Sequence, residues 1–219
     1  VSLPPGPDVA AALESAYTGV TAVVTGLSDR DLLLPSGCRG WTVADLLLHV
    51  QGDAQRALVA LHTPAAGPPD VDFVSYWRGF PGGSEELGPN VHWIRRTAAA
   101  FQRPGGIVEL WSDTAPAAAH AARTAEFAAF VATQGHVLAV PDFLATLVTE
   151  AVIHHLDLVA ELPGAPAPAD DAVGIAVATL AGLAGPAGLP AHWTPLEALR
   201  KATGRSQPDV ADSRFPLIG

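Results

Sequence analysis

Apolar residues spaced three and four apart recur in one segment after another of this chain, and clusters of proline and glycine separate those segments. In the first, Asp8 to Leu27, the residues Leu13, Tyr17, Val20, Val24 and Leu27 form one helical stripe, with Ser28-Asp29 as the turn that follows. A second helix opens at Thr42. Its hydroxyl suits an orphan backbone N–H, and Asp45 three residues on places a carboxylate at the positive helix end, as in a capping box. That helix runs from Val43 to Leu61 and stops before Thr63-Pro64. Further helices are expected over about Asn90–Gln102, Pro116–Thr133, Pro141–Leu162, Asp170–Leu183 and Pro195–Ala202, with Pro141 in a first turn that does not need its N–H. Residues 64–90 are rich in Pro and Gly and read as a long ordered loop with one short helical piece near Tyr76 and Trp77. Ile107–Leu110 is the sole strand candidate. Helix following helix implies an all-α bundle.

A chain of 219 residues, 49% hydrophobic and 16% charged, has enough apolar side chains for a core without disulfides. Its single cysteine, Cys38, excludes both an internal disulfide and a CxxC metal motif. A formal charge of -10 and the absence of Lys/Arg runs leave no footprint for nucleic acid or for an anionic membrane surface. The uncharged stretch Ala172–Trp193 is mainly Ala, Gly and Val and carries Pro186, Pro190 and His192, a poor fit to a membrane span. With no signal-like start, the cytoplasm is the expected compartment.

The chemistry points to Thr149-Glu150-Ala151-Val152-Ile153-His154-His155-Leu156-Asp157. Glu150 and His154 are four apart and share a helix face, among apolar neighbours. A carboxylate and an imidazole there need a partner, since a buried unpaired charge is costly. A divalent metal is one such partner: zinc takes His nitrogen and Glu oxygen, and a catalytic site has three protein donors and an open position. His155, about 140° further around the helix, should face elsewhere. His49, in the apolar run Leu46-Leu47-Leu48-His49-Val50, is the best-placed third donor. The competing reading is a core histidine hydrogen-bonded to Glu150.

Gly40-Trp41-Thr42-Val43-Ala44-Asp45-Leu46-Leu47-Leu48-His49-Val50 resembles the opening of the second helix in the DinB-like superfamily, and within it the mycothiol-dependent maleylpyruvate isomerase group. Glu150-x3-His154-His155-Leu156-Asp157 is similar to that group's later E-x3-H-x2-D segment, and Lys201-Ala202-Thr203-Gly204-Arg205 to a tail motif in many members. The resemblance implies a DinB-like four-helix bundle with additional C-terminal helices. The metal-binding bundle would cover 1–162 and a helical C-terminal extension 163–219. It implies a metal site at His49, Glu150 and His154, and a low-molecular-weight thiol such as mycothiol as cosubstrate. The enzyme would then use zinc, with nickel or iron suiting the same donors, to transfer a thiol onto a small electrophile or to isomerise that electrophile. The isomerase itself carries a sizeable α/β C-terminal domain, whereas residues 163–219 here read as helical.

Asp157, three residues after His154, is a candidate to orient that ring by accepting from its free nitrogen, and Asp53, four after His49, has the same logic. Arg205 is a candidate to bind an anionic substrate group. Cys38 shows no nearby base in the sequence and is read as an inert thiol. His62, His92, His120, His136 and His192 lack ligand spacing with one another. A metal hydrolase with activated water and a non-catalytic metal-binding protein are the alternatives on the same fold. The expected state is a monomer or homodimer.

Overall fold

The computed structural model describes residues 2–79, 89–209 and 212–218. In chain order its helices are α1 (Gly6–Val24), the single turn α2 (Asp29–Leu32), α3 (Val43–Leu61), α4 (Pro89–Ala98), α5 (Gly105–Arg123), α6 (Val140–Leu158), α7 (Asp170–Ala184) and α8 (Pro195–Ala202). Three short strands, β1 (Pro64–Ala65), β2 (Phe130–Thr133) and β3 (His136–Ala139), complete the regular structure of the described residues with 3-10 turns at Ser75–Gly79 and Gly185–Ala187. The protein is predominantly helical, as its periodicity requires.

α1 packs on α5 and α6, and α3 packs on the same two, so these four helices close around one apolar core. Leu13, Leu46, Leu47, Trp111, Phe143 and Leu147 are fully buried there. Where α1 meets α5, the Trp111 indole N–H donates to Thr21 Oγ1 at 2.9 Å and its ring meets Tyr17 edge-on at 5.2 Å. α7 lies on α6 and α1, and α8 on α7. The hydroxyls of Thr149 and Thr179 meet at 3.0 Å in the α6–α7 seam.

The capping box at Thr42 forms as its residues dictate: Thr42 Oγ1 accepts from the Asp45 N–H at 3.2 Å, and Asp45 Oδ2 accepts from the Thr42 N–H at 2.9 Å. Pro141 sits in the first turn of α6. Elsewhere the boundaries move. Ile107–Leu110 belongs to the start of α5, not to a strand, and Pro116 lies inside that helix. The N-terminus of α5 is capped from a distant element, since the Gly105 N–H donates to Asp29 Oδ1 at 2.8 Å. Local sequence therefore carries no cap signal, and the Gly105-Gly106 pair reads as a breaker.

The span expected to continue as helix to Thr133 ends at Arg123, and Phe130–Thr133 pairs with His136–Ala139 as an antiparallel hairpin. Its two-residue turn has both residues at positive φ, Gln134 at 47° and Gly135 at 82°. That conformation matches the strand twist, and only the glycine announces it. β1 adds to the other edge of β2, so the long 64–90 segment begins as a strand and contains the helical piece at Ser75–Gly79. Residues 80–88 of it lie outside the described residues. Among the described residues no helix is long and apolar enough to cross a membrane.

Candidate metal centre

α3 brings His49 and α6 brings Glu150 and His154 to a common point inside the bundle. His49 Nε2 is 2.9 Å and His154 Nε2 3.5 Å from the same oxygen, Glu150 Oε1. The two imidazoles meet edge-on with ring centroids 4.9 Å apart. One donor atom from each residue falls within 4.8 Å of the others. Around a tetrahedral ion with bonds near 2.0 Å, neighbouring donors stand about 3.3 Å apart, so the observed separations bracket what zinc requires. All three side chains are partly exposed, at 12–20%, which leaves a fourth side open.

Burial pushes the Glu150 carboxyl up, but the hydrogen bonds and charge of His154 and His49 outweigh it and hold the group well below its ordinary range. Burial likewise pushes His154 down, while Asp157, Cys38 and Glu150 together raise it well above an ordinary imidazole. Without an ion the site therefore holds a carboxylate and an imidazolium.

Behind His154 stands a second layer. His154 Nδ1–H donates to Asp157 Oδ2 at 3.0 Å, leaving Nε2 to face His49 and Glu150. Asp157 is 1% exposed and is gripped from its other side by Arg205, Nε to Oδ1 at 3.0 Å and Nη2 to Oδ2 at 2.7 Å. Burial raises the Asp157 carboxyl, and the bonds from His154 and Arg205 overcome that and depress it strongly. The Gly37 N–H donates to the Asp157 carbonyl at 2.8 Å. A Cβ on Gly37 would come within 2.6 Å of Asp157 Oδ1 and 2.9 Å of its Cα, so the chain before α3 needs glycine to approach α6.

Of the residues singled out in the sequence, His49, Glu150, His154, Asp157 and Arg205 thus form one connected cluster. Arg205 also donates through Nη1 to the Thr203 carbonyl at 2.7 Å. Its fork is spent largely on Asp157, and only its remaining N–H groups are left for an anion. Asp53 is joined to Arg56 at 2.9 Å, and among the described residues no hydrogen bond links it to His49.

Cys38 is the residue the sequence did not connect. Its thiol donates to Asp157 Oδ2 at 3.3 Å and lies 3.7 Å from His154 Nδ1, so Cys38, His154 and Asp157 form a second, overlapping donor set. Burial pushes this thiol up, against the opposing pull of His154; it serves as a hydrogen-bond donor and not as a thiolate.

His155 faces the other way, as the helix phase predicts. It is 1% exposed, and its Nε2–H donates to the Pro166 carbonyl at 2.8 Å. Burial lowers its pKa, so the ring is neutral. Its carbon Cε1 lies 3.2 Å from where a Cβ on Gly19 of α1 would sit. His155→Ala is expected to cost about 2–4 kcal/mol of stability through the void and the orphaned carbonyl, with metal stoichiometry unchanged. Denaturant unfolding beside elemental analysis checks both halves.

A family model described as the mycothiol maleylpyruvate isomerase N-terminal domain matches residues 13–159. Among solved structures, the chain resembles the mycothiol-dependent maleylpyruvate isomerase and a histidine-to-alanine mutant of that enzyme. Each has a TM-score of 0.57 and 18% identity over 82% of this chain and 70% of theirs, a likeness of fold. Among curated proteins no sequence matches this chain. With its helical bundle and the long span matched, the chain belongs to the mycothiol maleylpyruvate isomerase N-terminal domain family, in the DinB-like superfamily.

Proposed function

We propose that this protein is a metal-dependent enzyme that uses a low-molecular-weight thiol, mycothiol, to isomerise a small electrophile or to transfer onto it. The observation that carries the reading is the convergence of His49 Nε2, Glu150 Oε1 and His154 Nε2 beside an open side of the bundle. Zinc is the metal best matched to two imidazoles and a carboxylate, and nickel or iron suits the same donors. When bound, the ion supplies the charge that deprotonates a coordinating thiol. The remaining work falls to the chain. Asp157 holds the proton on His154 Nδ1, Arg205 holds Asp157, and the remaining N–H groups of Arg205 face an anionic part of the ligands. In this reading the bundle, 1–162, supplies the donors, and the extension, 163–219, supplies the arginine.

The family likeness supports the thiol, and thiol dependence is the test. Turnover of an electrophile should require added thiol and survive Cys38→Ser, because the protein's own thiol is protonated and held by Asp157. Hydrolysis proceeding with no thiol present would replace this reading by the activated-water one.

Metal uptake should also carry a proton signature. The ion-free site keeps a second proton on His154, at Nε2, and a ligand nitrogen must give that proton up while Nδ1 keeps its own, so binding releases protons. Zinc affinity should rise by about tenfold per pH unit until the raised pKa of His154 is passed. Chelator competition between about pH 6 and 8 measures the slope, and an affinity that ignores pH in this range would remove His154 from the ligand set.

A further inference from the structure

Two cavities meet at the triad, and their charges differ. The smaller, of about 260 Å³, has two carboxylates in its wall, Asp53 and Glu150, and two arginines, Arg56 and Arg205. The larger is a groove of about 750 Å³ that His49 and His154 also line. Its other charged residues are Arg39, Arg200, Arg205 and Asp157. Arg205 and Asp157 neutralise one another. Arg39 and Arg200 are exposed, and the ion pairs among the described residues all join other cations. A chain with a formal charge of -10 thus sets three arginines against one carboxylate in the wall of a single groove. A concave surface of one sign concentrates ligands of the opposite sign.

The backbone places both arginines there. The Trp41 N–H donates to the Cys38 carbonyl at 3.1 Å, closing a turn in which Gly40 has a φ of 78° and Arg39 takes the corner before it. A turn of this kind needs the left-handed conformation at its third residue, which glycine adopts without strain. Gly37, two residues before Arg39, is the residue whose N–H is fastened to the Asp157 carbonyl at 2.8 Å. On the other side, the N–H groups of Arg205 and Ser206 both donate to the Arg200 carbonyl, at 2.7 and 3.0 Å, while the Arg205 guanidinium grips the Asp157 carboxylate. Arg39 and Arg200 therefore stand on two segments that are each tied to Asp157, the residue that orients His154. Their backbones are fixed and their guanidinium groups are free to close on a ligand.

The sequence points to Arg205 as the anion-binding residue, but the structure commits most of its fork to Asp157. We propose that Arg39 and Arg200 are the specificity-determining residues of the larger groove, and that they select a ligand by a carboxylate separate from the part of it that reaches the triad. Arginine suits this role, since its planar fork meets a carboxylate through two parallel hydrogen bonds. Asp157 does not oppose such a ligand, because Arg205 already cancels its charge. That one end of the ligand reacts at the triad rests on the function proposed above; the selection of an acid rests on the two arginines and their groove alone.

Succinate and its diamide, succinamide, share a carbon skeleton and differ in charge, and their binding is measured without turnover. In calorimetric titration of the zinc-free protein at low salt, Arg39→Gln and Arg200→Gln should each weaken succinate by about three- to fivefold, the effect of losing one exposed ion pair. The double substitution should weaken it by at least about tenfold, with succinamide unaffected throughout. Arg39→Lys keeps the charge and should recover part of the loss. Arg30→Gln removes an exposed charge that does not line the groove and should leave succinate binding as it is, which separates the groove from the charge of the whole chain. Raising the ionic strength from about 0.01 M to about 0.2 M should erase most of the parent's advantage over the double variant. No succinate binding by the parent, a double variant that binds it as tightly as the parent, equal losses for succinate and succinamide, or an effect of Arg30→Gln as large as that of Arg39→Gln overturns the assignment. In the zinc-loaded enzyme, a KM raised for the electrophile alone places the carboxylate on it, a KM raised for the thiol alone places it there, and a KM raised for neither also overturns the assignment. Succinate selection through the two arginines without thiol-dependent turnover would retain this groove and discard the enzyme reading.

Discussion

Replacing His49, Glu150 or His154 by alanine is expected to abolish stoichiometric zinc uptake, each substitution by itself. Loss of an outer partner of a metal ligand already costs about 10–100-fold in affinity, and a direct donor among only three must cost more. Removing either histidine leaves one imidazole and Glu150, while removing Glu150 takes away the oxygen that both Nε2 atoms face. The folds should survive, because all three side chains are partly exposed at the open side of the bundle. His155→Ala is the matched control: it shares the helix and the residue type, but its ring is tied to Pro166 on the opposite side. Chelator competition with elemental analysis of each variant gives the result. Metal retained by His154→Ala and lost by His155→Ala would mean that α6 presents the wrong face.

That pair of neighbouring histidines shows where sequence and structure agree and where they part. The helical period is local, so the phase of Glu150 and His154 could be read from their spacing of four, and the capping box at Thr42 from its own three-residue span. Asp157 follows the same local rule, reaching His154 one turn back. Cys38 does not: its partners lie 116 and 119 residues away, and the glycine contact that delivers it to α6 has no signature in a single sequence. Asp53 shows the limit of spacing itself. Four residues after His49, it sits where it could serve that ring, yet its hydrogen bond goes to Arg56 one turn further on. The hairpin at Gln134-Gly135 is not legible locally, because Ala-rich residues before it extend a plausible helix, and tertiary packing against α3 and α6 decides the outcome.

The second large effect lies at Arg205, outside the span that the family model matches. Arg205→Met keeps most of the side-chain volume and removes the fork from Asp157, leaving a carboxylate at 1% exposure with His154 and Cys38 as its remaining side-chain partners among the described residues. Breaking a buried pair from one side costs about 3–5 kcal/mol, because the abandoned charge stays desolvated. At this chain length each kcal/mol lowers Tm by about 2–4 °C, so a fall of roughly 6–20 °C is expected. Asp157→Asn should behave differently. Arg205 retains a route to solvent, so less stability is lost, but the oriented acceptor for His154 Nδ1 is weakened and zinc affinity should drop about 10–100-fold. The double substitution removes both charges and should be more stable than Arg205→Met alone, the non-additivity expected of a contacting pair. The pH dependence has a definite sign. Asp157 is depressed in the folded state, so its contribution is complete above the ordinary carboxylate range and is lost as pH falls toward the folded value. The difference in stability between the parent and Arg205→Met should therefore shrink in acid. A difference that widened in acid, or a double substitution no better than Arg205→Met, would show that Arg205 stabilises the bundle by packing and not through the charge of Asp157.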